Sequence, residues 1–227
     1  MTPIPVVIIP VLNRFDMLEQ SLQCMDYPID NILIIDNSNS YSMSPDLKVH
    51  ENLKNTKCQI LNMPANMGVA GSWNLGIKCF PHAPYWLICS NDNHWMPGGL
   101  AEMQRLSAPD KMVMSNLAFN AFSLGSEIVK KIGLFDENFH PAYSEDTDWR
   151  LRMRYAGLED NIVWSTAAIY QVQASLTVHS DRKFYEKNVF TNKQNADYRI
   201  AKSVPENPHI NCMQYDLQRR IDHEWLD

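Results

Sequence analysis

Pro5-Val6-Val7-Ile8-Ile9-Pro10-Val11 (PVVIIPV) is nearly all apolar and rich in β-branched residues. Such a run suits a strand buried on both faces, as in a parallel sheet. Asn31–Ile35 (NILII) has the same character and stops abruptly at Asp36-Asn37. Cys58–Asn62 reads as a third short strand, and Tyr85–Cys89 (YWLIC) as a fourth, ending at Ser90-Asn91-Asp92-Asn93. Helical stretches lie between. Asp16 stands where it can cap a helix, with Glu19 in capping-box position, Leu18, Leu22 and Met25 on one face, and Tyr27-Pro28 as the stop. Ala70–Cys79 reads as a second helix, entered through Gly68 and Gly71. Strands alternating with helices predict an α/β fold, a mixed, mostly parallel sheet flanked by helices. Right-handed crossovers bring the strand ends to one edge, and ligands of such sheets bind beyond the carboxyl ends. Asn13-Arg14, Asp36-Asn37 and Asn91-Asp92 all fall on that edge.

Further along, the pattern predicts a helix over Leu100–Leu106, a mixed region over Met112–Leu124, and a short helix over Glu127–Lys131 closed by Gly133. Phe135–Tyr143 is aromatic and loop-like. Glu145-Asp146-Thr147-Asp148 opens a helix to Ala156, with Gly157 as a left-handed stop. Asp181–Asp227 reads as two helices joined by Val204–Pro208.

Composition narrows the function classes. The chain has 227 residues, 45% hydrophobic, with a net charge of -6, which speaks against holding nucleic acid by bulk electrostatics. No stretch reaches the roughly 20 apolar residues of a membrane helix, and no basic segment precedes the first apolar run as in a secretory signal. Five scattered cysteines without C-x-x-C argue against a zinc knuckle or a disulfide framework and for a reducing cytoplasm.

Several residues can carry chemistry. Asp36, directly after a strand, is either a turn residue or a carboxylate for a ribose or base. Asp92, also at a strand end, is either a turn aspartate or an oxygen ligand for Mg²⁺ or Mn²⁺ beside phosphate. Glu145, Asp146 and Asp148 are three carboxylates in four residues. They serve either as helix capping or as a crowded set in which one becomes a general base. The glycines of Asn66–Gly76 match neither a dinucleotide fingerprint nor a P-loop, yet let backbone approach a ligand at a helix start. The six tryptophans read mostly as core or rim; Trp95 and Trp149 flank polar clusters and are also candidates to stack on a sugar ring.

Together these segments resemble the inverting, nucleotide-sugar-dependent glycosyltransferases of family 2, which have the GT-A fold. PVVIIPVLNR resembles their V-I-I-P-x-x-N-R, IIDNSNS their V-V-D-N-x-S, and NMGVAGSWNLGI their N-x-G-x-A-G-x-x-N-x-G-I. IGLFDENFHPAYSEDTDWRLRMRYAG resembles their G-x-F-D-E-x-F-x-x-x-x-E-D-x-D-x-x-x-R-x-x-x-A-G, with one extra residue between Phe139 and Glu145. The likeness runs from about Val6 to Lys202. The compact length and G-V-A-G-S-W-N are most similar to short forms encoded by tailed bacteriophages.

The resemblance implies a GT-A (Rossmann-like) domain over 1–203 and a C-terminal helical extension over 204–227 packed on it. It implies that Pro10, Leu12, Asn13 and Arg14 border the nucleotide, that Asp36 holds base or ribose, and that Asn66, Gly71 and Asn74 close over the nucleoside. Asn91 and Asp92 would face the diphosphate, Asp92 as the last acid of the family's D-x-D, binding Mn²⁺ or Mg²⁺. Asp146 would be the general base, with Glu145 as its understudy. Two positions depart from the pattern. Ser90 stands where the first metal acid is usual, and Gln171 where the family carries a histidine; His179, eight residues on, is either a structural or surface histidine or the substitute metal ligand. The expected donor is a UDP-sugar. The expected acceptor is a virion protein, a glycan or a modified DNA base, reached in the cytoplasm (a host's, for a phage protein). Lys202–Asp227 is assigned to covering the acceptor side or to a contact in a homo-oligomer. A nucleotidyltransferase would want a glycine-rich basic loop after the first strand, and Leu12–Asp16 has no glycine. The remaining alternative is a degenerate domain that binds nucleotide or sugar without turnover.

Overall fold

The computed structural model of the chain describes residues 1–38, 47–167, 169–171 and 182–202. Its centre is β1 (Ile4–Val11), paired in parallel with β2 (Ile29–Asp36) on one side and β4 (Tyr85–Cys89) on the other. The alternation of a strand splits its side chains between two cores. Val7, Ile9 and Val11 face Leu18 and Leu22 of α1 (Phe15–Gln23) and Leu100 and Met103 of α3 (Gly99–Leu106). Val6 and Ile8 face Ala70, Trp73 and Ile77 of α2 (Gly68–Cys79). Helices on both faces explain why β1 is apolar at every position. α2 lies so close to the sheet that a Cβ on Gly76 would stand 2.6 Å from the Ile8 side chain.

The seven-stranded sheet has the order β3-β2-β1-β4-β7-β6-β8, with β3 at Lys57–Asn62, β6 at Met112–Ser115, β7 at Ala118–Gly125 and β8 at Ile162–Trp164. β7 alone runs against the others. This is the expected mixed, mostly parallel sheet. α4 (Ser126–Ile132) and α5 (Glu145–Tyr155) cover the face that carries Trp73. β5 (Asn93–Trp95) and β9 (Ile169–Gln171) form a separate antiparallel pair, and α6 (Arg182–Lys202) closes the described chain.

Several local expectations change. Asp16 does not cap α1: the cap position is Arg14, in left-handed backbone at φ 56° with no side-chain cap bond, and Asp16 pairs with Arg14 at 2.8 Å inside the first turn. α1 ends at Gln23, ahead of Tyr27-Pro28, and α2 begins at Gly68, two residues before the expected start. The mixed region resolves into the β6–β7 hairpin. Gly157, at φ +67°, is the left-handed residue past α5, as expected. The second C-terminal helix, the 203/204 boundary and the extension over 204–227 lie outside the described residues. No described helix is long and apolar enough to cross a membrane.

Candidate active site

A cleft of about 610 Å³ opens at the carboxyl ends of β1 and β4. One wall comes from the sheet and α2. Asn91, past β4, donates from Nδ2 to the carbonyl oxygens of Asn13 (3.0 Å) and Arg14 (3.3 Å), which ties the ends of the two strands together. Asn37, past β2, accepts from Met67 N at 2.9 Å and donates to Ser72 Oγ at 2.9 Å, locking the sheet to the start of α2. Asn66 Oδ1 accepts from Gly68 N at 2.9 Å. Gly68 has φ +71°, and a Cβ there would lie 2.7 Å from His140 Nδ1 and 2.8 Å from the Pro141 carbonyl oxygen. Only glycine fits, because backbone conformation and space both exclude a side chain.

The other wall is the first turn of α5 and the chain leading into it. Tyr143 and Ser144 both hold positive φ, 79° and 73°, and turn the helix start into the cleft. Glu145 is buried and its Oε2 has no hydrogen-bond partner among the described residues. Burial first, and the charge of Asp146 second, push its carboxyl up to about 8. Asp146 is more open and lines the cleft; its Oδ1 accepts from Thr147 N at 2.6 Å, and Oδ2 takes no part in that bond.

Asp92 sits on the floor between the walls. It is 8% exposed, and burial raises its carboxyl above the usual range, with a backbone bond and Gln171 pulling the other way. Gln171 Nε2 donates to Asp92 Oδ1 at 3.4 Å. The β5–β9 ladder makes that meeting, since it pairs Asn93 with Gln171. Asn116 fixes β9 in turn, binding both polar groups of the Ile169 backbone.

Pro10, Leu12, Asn13, Asn66, Asn91, Asp92, Glu145 and Asp146 thus line one cleft. Arg14, Asp36, Gly71 and Asn74 do not. Arg14 offers the cleft wall its carbonyl, while its guanidinium holds Asp16. Asp36 is buried behind the lining; Oδ1 caps Ser38 N at 2.9 Å, and Oδ2 has no partner among the described residues. Gly71 is buried within α2. Asn74 spends its side chain on the fold: it exchanges two hydrogen bonds with the Phe135 backbone and donates to Glu137. Trp95 and Trp149 are core residues, 2% and 0% exposed, with Trp149 stacked on Phe135 at 4.2 Å, so neither reaches a sugar. Trp73 and Phe119, stacked on each other at 6.3 Å, are the aromatic rings that line the cleft beside Tyr143. His179 lies outside the described residues. Phe119, Asn120 and Asn192 also line the cleft and were not legible beforehand: two sit on a hairpin with no strand signature and one on a distant helix.

Among the described residues, the lining carries three carboxylates, Asp92, Glu145 and Asp146, and no Lys, Arg or His. Its other polar groups are mainly the amides of Asn and Gln. No described group of three or more His, Cys, Asp or Glu side chains is arranged to hold a metal by itself.

The family model for glycosyl transferase family 2 matches residues 6–175. Among solved structures, the chain is similar to the mannosyltransferase PcManGT from Pyrobaculum calidifontis in complex with GDP-Man and Mn²⁺. Identity there is 14% and the TM-score 0.55, over 87% of this chain and 65% of that one. It is similar to S. aureus TarS 1–349 in complex with UDP, at 15% identity and TM-score 0.52, over 89% and 67% of the two chains. It is also similar to a Drosophila β1,4-galactosyltransferase 7 mutant in complex with manganese, UDP-Gal and xylobiose, at 11% identity and TM-score 0.54, over 78% and 73%. At such identities the likeness is one of fold, the GT-A fold. The chain spans just under two thirds of the mannosyltransferase's length. No curated protein matches the sequence.

Proposed function

The chain belongs to glycosyl transferase family 2, and on that premise we propose that it moves a sugar from a nucleotide-diphosphate donor to an acceptor hydroxyl with inversion at the anomeric carbon. One observation carries this reading: Asp92, at the end of β4, and the Glu145–Asp146 pair, at the start of α5, face a single cleft at the carboxyl edge of the sheet. Inverting transfer is a direct displacement. It asks for a base on one face of the sugar and charge stabilisation of the departing diphosphate on the other.

Asp146 is the proposed base. Its cleft-side oxygen takes the acceptor proton as the acceptor oxygen bonds to the anomeric carbon and the bond to the diphosphate breaks. Glu145, pushed up to about 8, holds its proton at neutral pH and leaves Asp146 as the base. Asn13, Asn37, Asn66 and Asn91 are proposed to grip the nucleoside and sugar hydroxyls, and Asp36, behind them, to hold the ribose-side wall. Neutral amides serve hydroxyls and bases well and leave a diphosphate without countercharge.

That gap fits a divalent cation. Hard cations take one or two carboxylates and complete their shell with phosphate oxygens. Asp92 offers the carboxylate, and the Gln171 carboxamide beside it, turned about its last bond, offers an oxygen. Mn²⁺ or Mg²⁺ held there would supply the positive charge that the lining lacks among the described residues. The donor proposed first is a UDP-sugar, with GDP-sugars second, in keeping with what the three similar structures hold. The acidic lining and the net charge of -6 favour a glycan or protein acceptor over a base in DNA.

The test is calorimetry with UDP, GDP, dTDP and CDP, each with and without MnCl₂, followed by an assay for nucleoside diphosphate release. Binding of one nucleotide that tightens with Mn²⁺, together with slow hydrolysis of the matching nucleotide sugar that Asp146→Asn abolishes, is the expected result. Nucleotide binding without hydrolysis of any donor in the wild type would select the degenerate binding domain instead.

A further inference from the structure

α6 lies beyond residue 175, where the family match ends, yet from Asn188 onward it touches the α5 wall of the cleft and the loop before it, turn after turn. Asn192 lines the cleft. Asn188 bonds the Tyr143 side chain. Asn195, fully buried, donates from Nδ2 to the carbonyl oxygens of His140 (3.3 Å) and Ala142 (2.7 Å). Tyr198 donates to Asp136 Oδ2 at 3.2 Å and packs edge-on against Phe139 at 5.0 Å. Lys202 ends the helix: its Nζ lies 2.8 Å from Asp136 Oδ2 and 2.6 Å from Asp148 Oδ1.

The charges around Lys202 balance. Asp148 Oδ2 takes Arg152 Nε at 2.9 Å, and Arg152 also donates to the Ile132 and Leu134 carbonyl oxygens. Asp136, Asp148, Arg152 and Lys202 form a buried set of two anions and two cations, with every side chain at most 3% exposed. Removing one partner of such a set strands a charge away from water, which is strongly destabilising. Asp148 stands one turn inside α5, below Glu145 and Asp146, and Asp136 opens the loop that reaches the cleft at Pro141. Lys202 therefore clamps together the two segments whose junction aims the acidic pair.

We propose that Lys202 is a positioning residue for the reaction: through Asp148 and Asp136 it fixes the 139–148 wall, and with it the Glu145–Asp146 pair, while leaving the nucleotide wall untouched. The effect on turnover rests on the transferase reading above; the effect on the wall does not.

The test uses the full chain with Lys202→Met, with Lys202→Arg as the charge-keeping control. Lys202→Met combined with Asp136→Asn restores the buried charge balance and serves where the single change does not fold. Amide hydrogen exchange should quicken about tenfold over residues 139–148 and stay unchanged in β1, β2 and β4. Uniform quickening, or none, overturns the proposal. In the second readout, nucleoside diphosphate release from UDP- and GDP-sugars, kcat should fall on the order of 10²-fold. The Kd for UDP with MnCl₂ should stay within about twofold, and Lys202→Arg should recover part of the rate. An unchanged kcat, or a UDP affinity lost in step with it, also overturns the proposal. If the wild type binds no nucleotide and hydrolyses no donor, the transferase reading fails, and the exchange pattern still decides the role of Lys202.

Discussion

The two walls of the cleft are held by different physics. The nucleotide wall is built from sheet ends and neutral amides: Asn91 ties β4 to β1, and Asn37 ties β2 to α2. The acceptor wall, as proposed, hangs on a buried ion cluster and on α6, whose bonds to Tyr143, Ala142 and Asp148 span 45, 53 and 54 residues. The first wall follows from parallel pairing and would form in any well-packed sheet of this kind. The second exists only when distant charges meet without water. On the proposed function, binding of donor and chemistry on acceptor then fall to parts of the molecule that can fail separately.

Asp146→Asn should separate them most sharply. Turnover should fall about 10³-fold, as for loss of a general base, with UDP affinity unchanged by calorimetry. A parallel loss of UDP affinity would merge the walls. Gly68→Ala should do the reverse and break both at once, because its new Cβ strikes His140 and Pro141 across the cleft from a positive φ. Denaturant unfolding should show a loss of about 3 kcal/mol, and nucleotide binding should weaken with it. Asp92→Ala should act on the nucleotide wall alone, removing the MnCl₂-dependent gain in UDP affinity, about tenfold or more, while exchange in 139–148 stays as in the wild type.

Glu145→Gln gives the smallest effect, one of pH. The Glu145 carboxyl is raised from 4.5 to about 8 by folding. Its contribution to stability is complete below pH 4.5 and is lost as pH climbs through 8, because the unfolded chain ionises it first. The Tm of the wild type should therefore drop relative to that of Glu145→Gln between pH 5 and 9. A constant gap across that range would mean that Glu145 is solvated and the acceptor wall looser than described.

The same division explains what could be read from the sequence. β1, β2 and β4 are legible because strands covered on both faces must be continuously apolar. The acidic start of α5 and the strand-end Asp92 stand where α/β sheets bind ligands, and both line the cleft. The β6–β7 hairpin was not legible: its strands MVMS and AFNAFSLG have no clean alternation, and it turns through Ala118 at φ 51°. β5 and β9 are three residues each and gain their meaning from pairing across more than 70 positions. Asp16 looked like a cap because local spacing hides that Arg14 occupies the cap in left-handed backbone. Asn74 sat in a nucleoside motif, yet its partners, Phe135 and Glu137, lie 61 and 63 residues away. The polar sequence neighbours of Trp149 suggest a sugar contact, but the helix turns its ring inward onto Phe135.

The amide-rich lining has one more consequence. Asparagine and glutamine neither gain nor lose protons anywhere in the biological range. A nucleoside gripped, as proposed, by Asn13, Asn37, Asn66 and Asn91 is held by contacts indifferent to acidity, whereas the hold on the diphosphate passes through Asp92, whose carboxyl burial raises above the usual range. Without a divalent cation, nucleoside affinity should then stay flat against pH, and the MnCl₂-dependent part of donor affinity and the maximal rate should slope. The molecule would hold the nucleoside with a constant grip, while its hold on the diphosphate and its speed read the medium.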